Sequence, residues 1–283
     1  MRYNLLRFPE GKTKAVTLSY DDGSRHDMRF VETLNRYGLK CTFNIMGNSV
    51  DNGMTMTREY IKENMLDKGH EIATHGYFHR AHDLIRPIEG IREVLDSRIA
   101  LERAFGMIIR GMAFPDRGID PLNRPTVCER IRNYLCELDI EYCRTIGGDN
   151  DRFEMPDDWL FWMPTARHAN PKLFEYIDKF MSIDVQSLYK ASRSPRLFFL
   201  WGHSFEFENN GNWELLDEIC EKLSGKDDIW YATNMEICRY AKAYDALIYS
   251  AEGTTVYNPT LIDVWFDVDG TLYCVRSGET VNL

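Results

Sequence analysis

Ala15-Val16-Thr17-Leu18-Ser19-Tyr20-Asp21-Asp22-Gly23 is the stretch from which the fold is read. Val16, Leu18 and Tyr20 alternate with smaller or polar residues, the period of a strand. The strand runs straight into two adjacent carboxylates and a glycine. Successive strand side chains point to opposite faces. Two carboxylates can therefore serve one site only where the strand ends or bends, and Gly23 permits a bend. Side by side they repel, so one is hard to ionise unless a cation lies close. A divalent metal resolves the conflict, with one aspartate bound to it and the other left to act as a base. The same residues also read as a plain strand followed by an Asp-Gly turn. What stands downstream decides between the two.

Working outward, Met28 to Tyr37 sets Met28, Phe30, Val31 and Leu34 at helical spacing, closed by Gly38. Lys40 to Met46 reads as the next strand. Thr57 to Lys68 reads as a helix with Tyr60, Ile61, Met65 and Leu66 on one face, and Glu71 to Thr74 as a short strand. This alternation predicts an α/β fold of parallel strands joined by crossover helices. His75-Gly76-Tyr77-Phe78-His79 then follows a strand directly, as Asp21-Asp22 does. Histidines at i and i+4 on a helical turn offer two imidazoles to one metal; with His82 close by, the run also fits a surface turn. The C-terminal ends of parallel strands share one face, where sites assemble.

Further along, Ile88 to Phe105 predicts a long amphipathic helix with Ile91, Val94, Leu95, Ile99 and Leu101 on its apolar side. Ile108 to Phe114 reads as a strand, Arg124 to Leu138 as a helix and Glu141 to Thr145 as a strand. A loop from Gly147 to Trp162 leads to a helix over Pro171 to Phe180. Arg196 to His203 is the most apolar run in the chain and predicts a buried strand, again ending in a group capable of chemistry. Trp213 to Leu223 reads as a helix, Trp230 to Ala232 as a strand, and Met235 to Tyr244 as a helix. From Ala246 the pattern changes to short alternating segments separated by Gly, Asn-Pro and Asp-Gly turns. The expected division is a main domain over 1–245 and a small antiparallel β appendage over 246–283 packed on it.

Composition narrows the function. The chain has 283 residues, 44% hydrophobic and 28% charged, enough for one large α/β domain or two small ones. A formal net charge of -10 argues against nucleic acid or an anionic membrane as the main partner. The seven cysteines are scattered and contain no C-x-x-C pair, which reads as reduced thiols. With no signal-like segment or apolar run of spanning length, the expectation is a cytoplasmic protein.

Asp-Asp-Gly after a strand, H-x-x-x-H about fifty residues on, and a buried strand ending in histidine together resemble the polysaccharide deacetylase family, carbohydrate esterase family 4. The resemblance covers roughly residues 12–245. It implies a distorted, incomplete (β/α) barrel that removes acetyl groups from sugars with one divalent metal ion, commonly zinc. By that resemblance Asp21 is the catalytic base and Asp22 the metal-binding carboxylate. His75 and His79 are the metal-binding histidines, and His203 protonates the leaving group. A backbone N–H near Phe114 would hold the oxyanion, and the arginine orienting the base is Arg110 or Arg144. Two departures stand out. Gly76 occupies a position where the family usually has Ser or Thr, and the family's third motif is stretched here over Arg110 to Gly118. Trp159, Trp162 and His168 are either cleft-lining or packing residues.

Phe266-Asp267-Val268-Asp269-Gly270-Thr271-Leu272 resembles the nucleophile motif of haloacid-dehalogenase-type phosphatases. Those folds need an α/β domain after the motif, so a hairpin turning at Asp269-Gly270 is the stronger reading. The expected function is a metal-dependent hydrolase acting on an N- or O-acetylated sugar or oligosaccharide. The alternatives are an amidase on a non-sugar C–N bond, using the same machinery, and a catalytically inactive carbohydrate-binding protein on the same scaffold.

Overall fold

The strand expected at residues 15–20 is β2 (Lys14–Asp21), an interior strand of the largest sheet in a computed structural model that describes residues 3–119 and 123–283. Its neighbours are β3 (Thr42–Ile45) and β8 (Arg196–Gly202), both parallel to it. Beyond β3 lie β4 (Glu71–Thr74), β5 (Gly111–Ala113) and β6 (Tyr142–Arg144), and beyond β8 lies β7 (Ala166–Arg167). A further short strand, β9 (Ile229–Tyr231), pairs with Lys14 to Val16. The sheet curls into an incomplete (β/α) barrel.

Helices α1 (Asp27–Tyr37), α2 (Gly47–Asp51), α3 (Arg58–Asn64), α4 (Pro87–Phe105), α5 (Pro125–Glu137), α6 (Leu173–Ser182), α7 (Ser204–Asn209), α8 (Trp213–Leu223) and α9 (Asn234–Asp245) connect the strands. The period of β2 explains the layering. Val16, Leu18 and Tyr20 point to the outer core, where Phe30, Leu34, Ile177, Leu216 and Ile219 of α1, α6 and α8 cover them. Ala15, Thr17, Ser19 and Asp21 therefore share the opposite face. The strand carries the Asp21 carboxylate on that face, lined by small residues. At the other end α9 closes the barrel: the Asn234 and Met235 N–H groups donate to Thr42 Oγ1 (3.0 Å) and Glu71 Oε2 (2.9 Å) at the starts of β3 and β4.

Two expectations need correction. On α4, Leu95 and Ile99 are 39% and 37% exposed, while Glu93 and Ser97 are buried. Small Ser97 lets α2 approach closely: a Cβ on Gly47 would lie 2.4 Å from its Cα. Glu93 is inside because backbone N–H groups satisfy its carboxylate, as described below. The strand expected over 108–114 shortens to Gly111–Ala113, leaving Ile108 exposed. Helices α2 and α7 and strand β7 were too short for a periodic signal.

The C-terminal region forms two antiparallel three-stranded sheets. One contains β10 (Ile248–Tyr249), β11 (Thr255–Tyr257) and β14 (Thr280–Asn282). The other joins β12 (Val264–Val268) and β13 (Thr271–Val275) to an N-terminal strand that the sequence pattern did not mark, β1 (Asn4–Arg7). Asp269 and Gly270 form the two-residue turn between β12 and β13, with φ of 52° and 96°. Asp267 accepts the Gly270 N–H (2.8 Å) and lies 3.8 Å from buried Arg7, while Asp269 accepts the Tyr3 N–H (3.1 Å). All seven cysteines are free. Among the described residues no helix is long and apolar enough to cross a membrane.

Candidate active site

The bend that two neighbouring carboxylates require falls on Asp22 itself. Asp21 ends β2 in extended conformation, and Asp22 takes a left-handed backbone with φ of 80°. Its carboxylate thereby turns toward the end of β4. There His75 Nε2 and His79 Nε2 each lie 3.5 Å from Asp22 Oδ1. Their convergence is not that of a helical turn. Residues 75–79 are a bent loop in which Gly76 and His79 have φ of 75° and 59°. Glu93 of α4 holds this loop by accepting the N–H groups of Tyr77 (3.0 Å) and Phe78 (2.8 Å). The same carboxylate explains the glycine: a Cβ at position 76 would lie 3.0 Å from Glu93 Oε2. Glu93 went unnoticed in the sequence because a glutamate on a long helix reads as a solvated one.

Asp22, His75 and His79 have the donor chemistry of a divalent metal site, with ligand atoms within 4.8 Å of one another. Two observations test that fit. His75 Nδ1 lies 3.0 Å from the Ala113 carbonyl oxygen, which can only accept, so Nδ1 carries the proton and Nε2 presents a lone pair. Asp22 Oδ1 is buried and accepts no hydrogen bond. Lone pairs from an imidazole and a carboxylate facing each other at 3.5 Å call for a cation between them. Burial pushes the His75 imidazolium toward its neutral, ligating form despite the nearby aspartates.

Asp21 is buried and sits behind this group. Asn44 Nδ2 donates to its Oδ1 at 2.8 Å, and Arg144 Nη2 donates to Oδ2. Burial alone would raise its pKa; Arg144, with the His203 imidazolium, outweighs it and holds the carboxyl below its usual value. Of the two arginines considered, Arg144 is therefore the one at Asp21, fully buried with its guanidinium 4.6 Å from the Trp201 ring. Arg110 lies elsewhere, paired with Asp139 (3.5 Å) and Glu141 (3.2 Å). Phe114 is also corrected: its N–H donates to the Arg144 carbonyl (2.9 Å) and its ring packs on Phe161, so that amide is already occupied. Trp162 is buried between Trp159, Tyr142 and Phe199 as core, and His82 bonds to the Tyr134 hydroxyl (2.7 Å), outside the cluster.

His203 follows β8 and directs Nε2 toward both carboxylates, 4.0 Å from Asp21 Oδ2 and 3.9 Å from Asp22 Oδ2. Its Nδ1 donates to Glu206 Oε1 at 2.8 Å. Glu206, from α7, also bonds to Arg167, and His168 Nε2 lies 3.0 Å from its Oε2. Burial would raise Glu206, but these three donors hold it far below the carboxylate range. Burial would lower His203, yet Glu206, Asp21 and Asp22 raise it. Glu206 was missed in the sequence; the only signal was a glutamate three residues after the histidine, on a helix too short to recognise. Gly202 is required here because a Cβ would lie 2.0 Å from His168 Nδ1.

A cleft of about 480 Å³ opens beside Asp22 and His79, lined also by Met46, Ser49, Thr55 and Phe205. Residues 9–127 match the family model described as polysaccharide deacetylase. Over those residues the chain is similar to that family, and its curled (β/α) barrel is that family's fold. Family and fold indicate a carbohydrate deacetylase, a hydrolase. Among solved structures, a Mycobacterium smegmatis protein assigned as a polysaccharide deacetylase is 18% identical with a TM-score of 0.58, over 85% of this chain and 94% of that one. A mutant of the peptidoglycan deacetylase PdaC from Bacillus subtilis is 16% identical with a TM-score of 0.51, over 84% and 96%. A carbohydrate esterase family 4 pseudoenzyme from Bacillus anthracis is 13% identical with a TM-score of 0.50, over 83% and 68%. These likenesses are of fold. No curated protein matches the chain.

Proposed function

We propose that the protein is a metal-dependent hydrolase that removes acetyl groups from an N- or O-acetylated carbohydrate. The observation that carries this reading is the convergence of Asp22, His75 and His79 on one point, with Asp21 and His203 facing it. Two imidazoles and a carboxylate suit zinc, which when bound by Asp22, His75 and His79 would supply Lewis acidity at the acetyl carbonyl. Asp21, kept ionised by Arg144 and Asn44, accepts the proton of the water that attacks the carbonyl carbon. His203, whose hold on a proton Glu206 strengthens, donates from Nε2 to the leaving nitrogen or oxygen as its bond to carbon breaks. The products are acetate and the free amine or hydroxyl. A cleft of about 480 Å³ is of ordinary size for a small-molecule site.

The test is acetate release by zinc-loaded protein from N-acetylglucosamine and O-acetylated xylose oligomers, with metal content measured alongside. Asp21→Asn and His203→Ala should each lose about 100- to 10,000-fold in kcat and keep their metal, because neither supplies a ligand. Near-normal turnover in His203→Ala on an N-acetyl sugar would remove His203 from the reaction. Loss of metal in Asp21→Asn would show that the roles of the two carboxylates are reversed.

A further inference from the structure

A second cavity adjoins the metal cleft. Val50 and Phe78 line it, while their chain neighbours Ser49 and His79 line the cleft, so α2 and the histidine loop form the wall between the two. The cavity measures about 450 Å³ and is completed by Arg58 of α3 and Asp96, Ile99 and Arg103 of α4, together with Tyr77. Phe78 is 54% exposed, with the Arg80 guanidinium 5.1 Å from its ring centroid and Tyr77 against its ring at 4.7 Å. Among the described residues neither the Arg58 nor the Arg103 guanidinium has an ion-pair or hydrogen-bond partner. Of the arginines nearby, Arg80 faces Glu93, Arg98 pairs with Glu102, and Arg117 and Arg124 share Asp83, while exposed Arg92 of α4 has no such partner among the described residues. Both guanidinium groups are exposed and open onto the same cavity. Guanidinium forks match a carboxylate in shape and charge, and an exposed aromatic ring offers a flat apolar surface to a sugar face. Asp96 in the same cavity opposes a dianion more strongly than a monoanion, which favours a carboxylate over a phosphate.

We propose that this cavity is a subsite for a carboxylate-bearing sugar, a unit of the same saccharide whose acetylated unit occupies the metal cleft. The proposal rests on the deacetylase reading and narrows it to acidic saccharides. Binding is measured by calorimetry at low salt with full-length zinc-loaded protein. The probes are a tetramer alternating N-acetylglucosamine with glucuronic acid, the neutral N-acetylglucosamine tetramer, and a phosphate-bearing N-acetylglucosamine tetramer.

The acidic tetramer should bind about 10- to 100-fold more tightly than the neutral one, as expected for one or two charge-assisted hydrogen bonds. The double variant Arg58→Gln/Arg103→Gln should lose that advantage. Asp96→Asn should increase it, a change of opposite sign that a folding defect cannot produce. Equal affinity of the wild-type protein for the acidic and neutral tetramers, or an advantage unaffected by the double substitution, would overturn the proposal. Tighter binding of the phosphate tetramer alone would overturn the carboxylate assignment. Acetate release is followed separately. A preference for the acidic tetramer without acetate release from any probe would sink the deacetylase reading and leave the subsite standing; acetate release without the preference would do the reverse.

Discussion

His203 is one ring at the end of an apolar strand, and Glu206 decides which of its nitrogens faces the carboxylates. With Nδ1–H donated to Glu206 at 2.8 Å, Nε2 is the atom left for proton transfer. Glu206 also opposes the effect of burial and raises the pKa of His203. Activity that needs protonated His203 must fall as pH rises through that raised pKa. Glu206→Gln keeps an acceptor for Nδ1–H but removes the charge. It should lower kcat by about 10- to 100-fold, and the alkaline limb of the kcat profile should move to lower pH. A limb that stays in place would make Glu206 a packing residue only. At this scale the bent backbone at Asp22 matters as much as any side chain, because it turns two consecutive carboxylates toward different partners.

At the level of elements, the starts of α1 and α7 meet beneath the site. The Ser204 hydroxyl donates to Asp27 Oδ1 at 2.5 Å, and Asp27 Oδ2 is buried without a partner. Burial pushes Asp27 up to about 8, only partly offset by Ser204. The folded protein therefore holds this proton where the unfolded chain has released it. Its stabilising contribution is complete below about pH 4 and is lost as pH rises through about 8. Asp27→Asn, which keeps the shape without the titration, should flatten the fall in stability over that window. At pH 8 it should unfold in urea with about 2–5 kcal/mol more stability than the wild type. Parallel urea curves for the two proteins at pH 5 and pH 8, with no change in their difference, would refute this. α4 illustrates the same scale, since one of its buried faces is set by Glu93 reaching the histidine loop and by Ser97 admitting α2.

Across the whole molecule, the N-terminal strand β1 lies in the C-terminal sheet, and Arg7 and Asp267 face each other at its seam, 1% and 8% exposed. The two ends of the chain are thereby joined on the barrel, so barrel and β region should unfold together. Asp267→Asn leaves Arg7 buried without its counter-charge and should cost about 3 kcal/mol in a single urea transition, with acetate release unchanged. Two separate transitions would show that the β region folds on its own. A phosphatase activity abolished by the same substitution would overturn the structural role of this segment.

The order of the barrel elements was legible from sequence because parallel α/β folds impose two strong periods. The alternation over Ala15 to Tyr20 and the apolar run before His203 are set by neighbours in the chain. The same periods placed Asp21, Asp22, His75, His79 and His203 at strand ends. What the chain alone left open depended on distant residues. Whether Arg110 or Arg144 reaches Asp21 depends on which side of a strand end faces the barrel interior. That Phe114 N–H is already bonded, and that Leu95 and Ile99 face solvent while Glu93 does not, follow from packing between elements. Glu206 and β1 were invisible for a related reason: a short helix and a four-residue strand carry too little pattern, and only tertiary hydrogen bonds give them their place.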